Sequence, residues 1–443
     1  MRHKIIITLL LLASFASNAQ VLTLDSCFTL ARKNNSDIKK AALDITMAQE
    51  VKRQLFTLFF PSADLTGMGF TAYQPLLSLN ITDLAQTNDF KELLTELFNQ
   101  IQADYPEVSD EYTFIDRGYT ATVGVQQPVF AGGRIVNGNQ LAALGIRAAE
   151  LQKEITERNV LQEIEETYWL VNGLKEKRNT VKKVAELLDT IQRVAETALN
   201  AGVITRNDIL KVKLKKNELA SLSLKLENGI ALASHALCQQ IGITPQSDLD
   251  LEAFPETENY NITLNNSITV SGRPEYELLQ LNVQAEQLRR SLSLGETLPT
   301  VGIGLNAGAT NFLDRNRWNA IAFFGVKIPL SDWWKTAHKL KEHDIKIQEA
   351  EIMRDDLQQK MKLQNEQVYD ALTEAILLLQ QHESANEMAQ DNYQTTLMNY
   401  QAGLETMSNL LESQALLLQA LNQYTDARIT YRSNLRRYND LNK

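Results

Sequence analysis

The sequence is short of proline, cysteine and basic residues, and each shortage excludes something. Nine prolines occur in 443 residues, with none between positions 129 and 244 or after 329. Proline removes a helix hydrogen bond and clashes with the preceding turn, so long helices belong in these two intervals. The two cysteines, Cys27 and Cys238, lie far apart and have no metal-site spacing. A disulfide between them and two buried free thiols are both open. No stretch beyond the N-terminal segment reaches about 18 consecutive apolar residues, so no helical membrane span is expected and any entry into a membrane must use strands. The 44 Lys and Arg against 54 Asp and Glu leave a net charge of −10, which argues against nucleic acid as a partner.

Catalytic patterns are missing too. Beyond His3, the histidines are His235, His338, His343 and His382. His338 and His343 lie five apart, on different faces of a helix, and no H-E-x-x-H, P-loop or dinucleotide glycine pattern occurs. The carboxylate pairs Glu165-Glu166 and Asp355-Asp356 fall on long polar helical stretches and read as solvated faces. The expectation is a protein that is not an enzyme, with no cofactor and no metal.

What is present begins with an export signal. Met1-Arg2-His3-Lys4 precedes an apolar run from Ile5 to Leu12 and small residues up to Ala19, the pattern of a secretory signal peptide over residues 1–19. Its removal takes away Arg2 and Lys4 and no acid, lowering the charge from −10 to −12. The new N-terminus would be Gln20, so no lipoprotein anchor is indicated.

The mature chain contains one long element twice. Pro128 and Gly202 are repeated at Pro329 and Gly403, and Tyr168 at Tyr369, all with an offset of 201. Within each copy apolar residues recur at threes, fours and sevens, for example Val181, Val184, Leu188 and Ile191, or Leu357, Met361, Val368 and Leu372. This is the stripe of a coiled coil with phase slips. A helix over 134–200 would be about 100 Å long, followed after Ala201-Gly202 by a second over 205–240. The second copy reads 335–400, then Ala402-Gly403, then 406–441. Glycine after a helical run is the usual stop, so each copy ends in a long helical hairpin.

Upstream of each long helix the period shifts to two. Tyr119, Ala121, Val123 and Val125 alternate with Thr120, Thr122, Gly124 and Gln126. Val301 to Ala309 and Trp318 to Ile328 follow the same rule, and Ala63 to Ala72 forms a fourth strand of unfixed phase. Apolar alternating with small or polar residues over about ten positions marks a membrane β-barrel strand. Four such strands cannot close a water-filled barrel, and an open edge cannot face lipid, so several copies must share one barrel. Pro128, Gly132, Gly133 and Pro329 mark the bends from strand to helix. The first helices are expected over 25–58 and 274–294. Repeat 1 thus covers 20–255 and repeat 2 covers 256–443, with irregular chain from Pro245 to Arg273. Matching Pro61 to Pro299 gives an offset of 238, which places about 37 extra residues in the first strand-to-strand loop, 73–117. An amphipathic helix is expected within it from Asp89 to Ala103.

These residues resemble the outer-membrane factor (TolC) family. The likeness rests on Gln127-Pro128-Val129-Phe130-Ala131-Gly132-Gly133, on Ile328-Pro329-Leu330-Ser331-Asp332-Trp333, and on the Ala-Gly turns followed by Asp208-Ile209-Leu210 and Asn409-Leu410-Leu411. The opening Leu22-Thr23-Leu24-Asp25-Ser26-Cys27 also fits. The resemblance implies a mainly α chain with membrane β. It further implies a homotrimer with a twelve-stranded barrel in the outer-membrane lipid and an α-helical coiled-coil tunnel through the periplasm. Implied partners are a periplasmic adaptor (membrane fusion) protein and an inner-membrane transporter. In such proteins the turns, here Ala201-Gly202 and Ala402-Gly403, form the periplasmic tip where the adaptor docks. By position Tyr400 matches an aromatic that ties neighbouring coils, Asp208 its acidic partner, and Glu412 one of two acidic ring positions at the entrance. Two positions depart from the pattern. Asn409 occupies the other ring position, and Glu405 stands where the best-known member has a basic tie.

The function this implies is a passive exit duct of a tripartite efflux or secretion system, gated at its periplasmic tip. A duct dedicated to type I protein secretion and a periplasmic coiled-coil scaffold without a pore are the alternatives.

Overall fold

The computed structural model describes residues 21–74, 77–85, 87–108, 111–114, 117–200, 202, 204–255, 270–312 and 315–441. The expected signal peptide, residues 256–269 of the linker between the repeats and Ala201 lie outside the described residues. The helices are α1 (Leu24–Asn34), α2 (Ser36–Phe56), α3 (Asn88–Asp104), α4 (Arg134–Asn200), α5 (Arg206–Ile241), α6 (Pro274–Gly295), α7 (Asp332–Gln401) and α8 (Met407–Leu441). The strands are β1 (Ser62–Thr71), β2 (Leu77–Asn80), β3 (Glu111–Phe114), β4 (Arg117–Ala131), β5 (Thr300–Phe312) and β6 (Arg315–Lys327). The fold is mainly helical with one four-stranded sheet. The long helices α4 and α7 have 67 and 70 residues. Among the described residues no helix is long and apolar enough to cross a membrane.

Two compact units share the chain and cut across the sequence repeats. One contains the chain up to Ala48, Ile146–Val283 and the chain from Glu349; the other contains Gln49–Gly145 and Gln284–Gln348.

The second unit holds an antiparallel sheet in the order β1-β4-β5-β6. Directly paired residues point to the same face, so register decides what each face shows. Leu65 pairs with Val123, Val123 with Ala307, and Ala307 with Ala320. Rows on either side place Val125, Leu305 and Ala322, then Ile303 and Phe324, on the same apolar face. The opposite face carries Asp64, Gly124 and Asn306 in one row, and Thr66, Thr122 and Gly308 in the next. This register sets the phase of β1, which the sequence leaves unfixed because Met68 and Phe70 interrupt its polar face. At Gly124 an added Cβ would meet Asn306 Oδ1 at 2.7 Å and the Asp64 carboxylate at 3.1 Å, so the polar row is tightly packed. Among the described residues β1 and β6 each pair with a single strand and stand at the two ends of the sheet.

Strand passes to helix at Gly132 and Gly133, with φ of +64° and +74°. A Cβ on Gly132 would strike the carbonyl oxygen of Gly295, with the Gly295 carbonyl carbon at 3.0 Å and Leu298 Cβ at 3.1 Å. Pro128 adjoins a shift in the β4–β5 register between Pro128 and Phe130. The second copy reaches α7 through Pro329 without a left-handed glycine.

The first unit is built around α1, α4, α5, α8 and α7 from Glu349 onward. The expected single helix over 25–58 is instead two, divided at Asn35. The Asn35 amide donates to Ala31 O at 2.8 Å and closes α1, while its Oδ1 accepts from the amides of Asp37 and Ile38 at 2.8 and 3.2 Å and opens α2. Its Nδ2 donates to Gln240 O at 2.8 Å and ties this junction to the end of α5. Cys27 and Cys238 are both free and fully buried in one core with Leu161, Ile164, Leu237 and Ile241. Burial first, and Cys238 second, push the Cys27 thiol up to about 11, so little of the reactive thiolate forms at neutral pH. The Tyr168 hydroxyl lies 3.0 and 3.1 Å from Leu22 O and Glu252 O and shares its one proton between them, clamping the bridge between Leu22 and Leu251. Trp169 stacks on Phe254 at 5.0 Å, and Arg428 lies 4.2 Å over Phe254 while donating to Pro255 O at 2.7 Å. A Cβ on Gly173 would run into Ile429, so this glycine lets α4 and α8 approach closely.

Candidate functional site: the paired helical turns

The ends of both hairpins lie in the first unit. Helix α4 stops because Gly202 adopts φ +73° and its amide donates to Leu199 O at 2.9 Å. Helix α7 stops at Gly403, φ +75°, with the amides of Ala402, Gly403 and Leu404 returning to the carbonyls of Met398, Tyr400 and Asn399. Crossed bonds of this kind satisfy carbonyls that the last helical turn leaves open.

The helices that follow begin with the same device. Thr205 is the N-cap of α5, and its amide and hydroxyl donate to Asp208 Oδ2 at 3.1 and 2.7 Å. In the second copy Thr406 Oγ1 accepts from the Asn409 amide at 3.2 Å, and Asn409 Nδ2 donates to Glu405 Oε2 at 2.6 Å. The hydrogen bond from the Thr205 hydroxyl, with its amide and Lys211, holds the Asp208 carboxyl below the usual aspartate range against some desolvation. Burial first, and the Asp208 charge second, raise the Tyr400 hydroxyl above its ordinary value.

One bond joins the two hairpin ends directly. Lys211 Nζ donates to Ser408 Oγ at 2.7 Å and lies 3.9 Å from Asp208 Oδ1. Beneath it Ile209, Val212, Tyr393, Met407 and Leu410 share one buried cluster, with Tyr400 packed against them. Asp208, Tyr400, Glu405 and Asn409 thus stand at the paired turns, while Glu412 is exposed one turn further along α8. Thr205 and Thr406 enter the sequence analysis only as helix starts, and Lys211 and Ser408 not at all. The two threonines share the 201 offset and the T-x-x-D/N spacing of a cap, a signal that was there to find. Lys211 and Ser408 carry no such signal, because their contact needs the two hairpins packed. Among the described residues no group of three or more His, Cys, Asp or Glu is placed to hold a metal ion.

The fold is that of several solved outer-membrane proteins. VceC from Vibrio cholerae matches with a TM-score of 0.74 at 15% identity, over 94% of this chain and 95% of that one. The CmeC outer membrane channel of Campylobacter jejuni gives 0.72 at 14% identity, over 94% and 85%. The MtrE outer membrane channel of Neisseria gonorrhoeae, in its open state, gives 0.72 at 11% identity, over 94% and 88%. No curated protein sequence is a significant match. The family model for outer membrane efflux proteins matches residues 28–242, a span that runs from α1 through both strands of the first repeat to the end of α5. With the first repeat matched in sequence and the whole architecture matched in fold, the chain is similar to the outer membrane efflux protein family and shares the fold of its channels.

Proposed function

We propose that three copies of this chain close one barrel in the outer membrane and one helical tunnel below it, forming the exit duct of a tripartite efflux system. The observation that carries this reading is the sheet. Its register collects Leu65, Val123, Val125, Leu305 and Phe324 on one face and Asp64, Thr122, Asn306 and Gly308 on the other. Such a sheet suits lipid outside and water inside. A sheet of the four described strands, ending at β1 and β6, leaves backbone groups unpaired at its edges, a cost of several kcal/mol each in lipid. Pairing β6 of one copy with β1 of the next removes those edges.

The duct is passive, a channel and not an enzyme, and the energy for export comes from an inner-membrane transporter. A periplasmic adaptor docks at the hairpin ends around Gly202 and Gly403, where Leu404 is 77% exposed and Leu210 is 54% exposed. The tip opens when the adaptor spreads the hairpins, and the Lys211–Ser408 bond with its Asp208 neighbour is the tie within each copy that such a movement loads.

The test is a measurement of mass and conductance on the same preparation. Protein extracted from outer membranes in detergent should have the light-scattering mass of a trimer and should give discrete conductance steps in a planar bilayer. A monomeric, water-soluble protein without conductance would overturn the duct in favour of a scaffold.

A further inference from the structure

The long loop between β1 and β4 holds a helix with an uncovered apolar face. Helix α3 has 17 residues and none of them is buried. Phe90, Leu93, Leu97 and Ile101, spaced by three, four and four, are 50, 62, 49 and 37% exposed. At 100° per residue they form one stripe, with Asn88, Glu92 and Asn99 opposite. The helix is fastened to its own loop by a polar contact, Lys91 Nζ to Asp83 Oδ1 at 2.6 Å.

Its place follows from chain direction. Strand β1 runs away from α2 and ends at Thr71, and β4 returns from Arg117 towards α4. The loop therefore stands at the end of the sheet opposite the helices, outside the cell when the helices extend into the periplasm. It springs from β1, an edge strand, so it rises beside the seam with the neighbouring copy. Twelve strands about 4.8 Å apart and tilted about 40° close on a radius of about 12 Å. A helix of 17 residues is about 25 Å long, enough to reach the axis. A lipid surface is a poor alternative occupant. The outer leaflet is anionic, whereas α3 carries Asp89, Glu92, Glu96 and Asp104 against the single, already paired Lys91.

We propose that α3 is an inter-copy element: the Phe90–Ile101 stripes of three copies pack together about the threefold axis and narrow the outer mouth of the duct. The proposal rests on the trimer reading above. The packed helices bring their acidic residues together around the mouth, and an apolar seam held by a few side chains per copy is weak enough to part when cargo leaves.

Thiol crosslinking of the full-length protein tests this. Leu97→Cys, oxidised with copper phenanthroline, should give a covalent dimer on non-reducing gels. Asn99→Cys, on the opposite face, and the parent with its buried thiols should stay monomeric on the same gels. Leu97→Glu should raise single-channel conductance by parting the seam. A light-scattering mass of three chains with no Leu97→Cys dimer, or with equal dimer from Asn99→Cys, overturns the proposal and leaves the trimer standing. Unchanged conductance of Leu97→Glu also counts against it. Protection of the Leu97→Cys thiol by lipopolysaccharide vesicles without dimer assigns the stripe to lipid instead. A monomer mass removes both the trimer and this inference.

Discussion

Asp208 acts first on its own helix. It accepts from the amide and hydroxyl of Thr205, and only its second oxygen is turned towards Lys211, 3.9 Å away. Its folded-state pKa is lowered, chiefly by the Thr205 hydroxyl. The stabilisation is therefore present at neutral pH, above the ordinary aspartate value, and is lost as pH falls through the lower folded value. Asp208→Asn is expected to reduce the thermal midpoint at neutral pH by the loss of part of a cap, about 1 kcal/mol or less. The gap between parent and variant should shrink as the solution is acidified below the aspartate range. A gap that persists in acid would mean that the charge of Asp208 is not what the turn uses. The acidic residue after the Ala-Gly turn was legible in the sequence, but its partner was not. Thr205 lies three residues away, whereas Lys211 and Ser408 meet across 197 positions.

At the scale of elements, long helices and strands were readable from periodicity because both are set locally. Proline-free stretches with a stripe of threes and fours form α4 and α7, and alternating stretches form β4, β5 and β6. The split between α1 and α2 was not readable, since Asn35 caps both helices and its side-chain Nδ2 donates to Gln240 O, 205 positions away. The bends show a similar division. Gly132 and Gly202 both have positive φ, yet a Cβ on Gly202 meets nothing within 4 Å while one on Gly132 strikes Gly295. Alanine at either site should cost about 1–2 kcal/mol from the left-handed backbone. Gly132→Ala should cost clearly more than Gly202→Ala, read as the difference in thermal midpoint of the two purified variants. Equal losses would mean that the backbones at Gly132 and Gly295 separate without penalty.

The whole molecule is where charge at the entrance belongs. Glu412 is exposed on α8 beyond the Gly403 turn, and three copies would place three such carboxylates around one opening. Rings of carboxylates favour cations over anions. Glu412→Gln is accordingly expected to lower the cation-to-anion permeability ratio in bilayer recordings at low salt, with a smaller effect at high salt, where the charges are screened. Selectivity identical to the parent at both salt concentrations would remove Glu412 from the entrance. Asn409, which bonds to Glu405 within its own turn, contributes no charge to that ring.

By itself the sequence determined the helix and strand periods, the 201-residue offset between the two copies and the glycine turns. Each of these depends on neighbours or spacings along the chain. Tertiary structure decided the phase of β1, the free state of Cys27 and Cys238, the Asn35 junction, the stacking of Arg428 on Phe254 beside Trp169, and the Lys211–Ser408 tie. These contacts join residues from tens to more than two hundred positions apart, and nothing in local composition says which distant side chain will arrive. Packing of the helices and pairing of the strands bring them together.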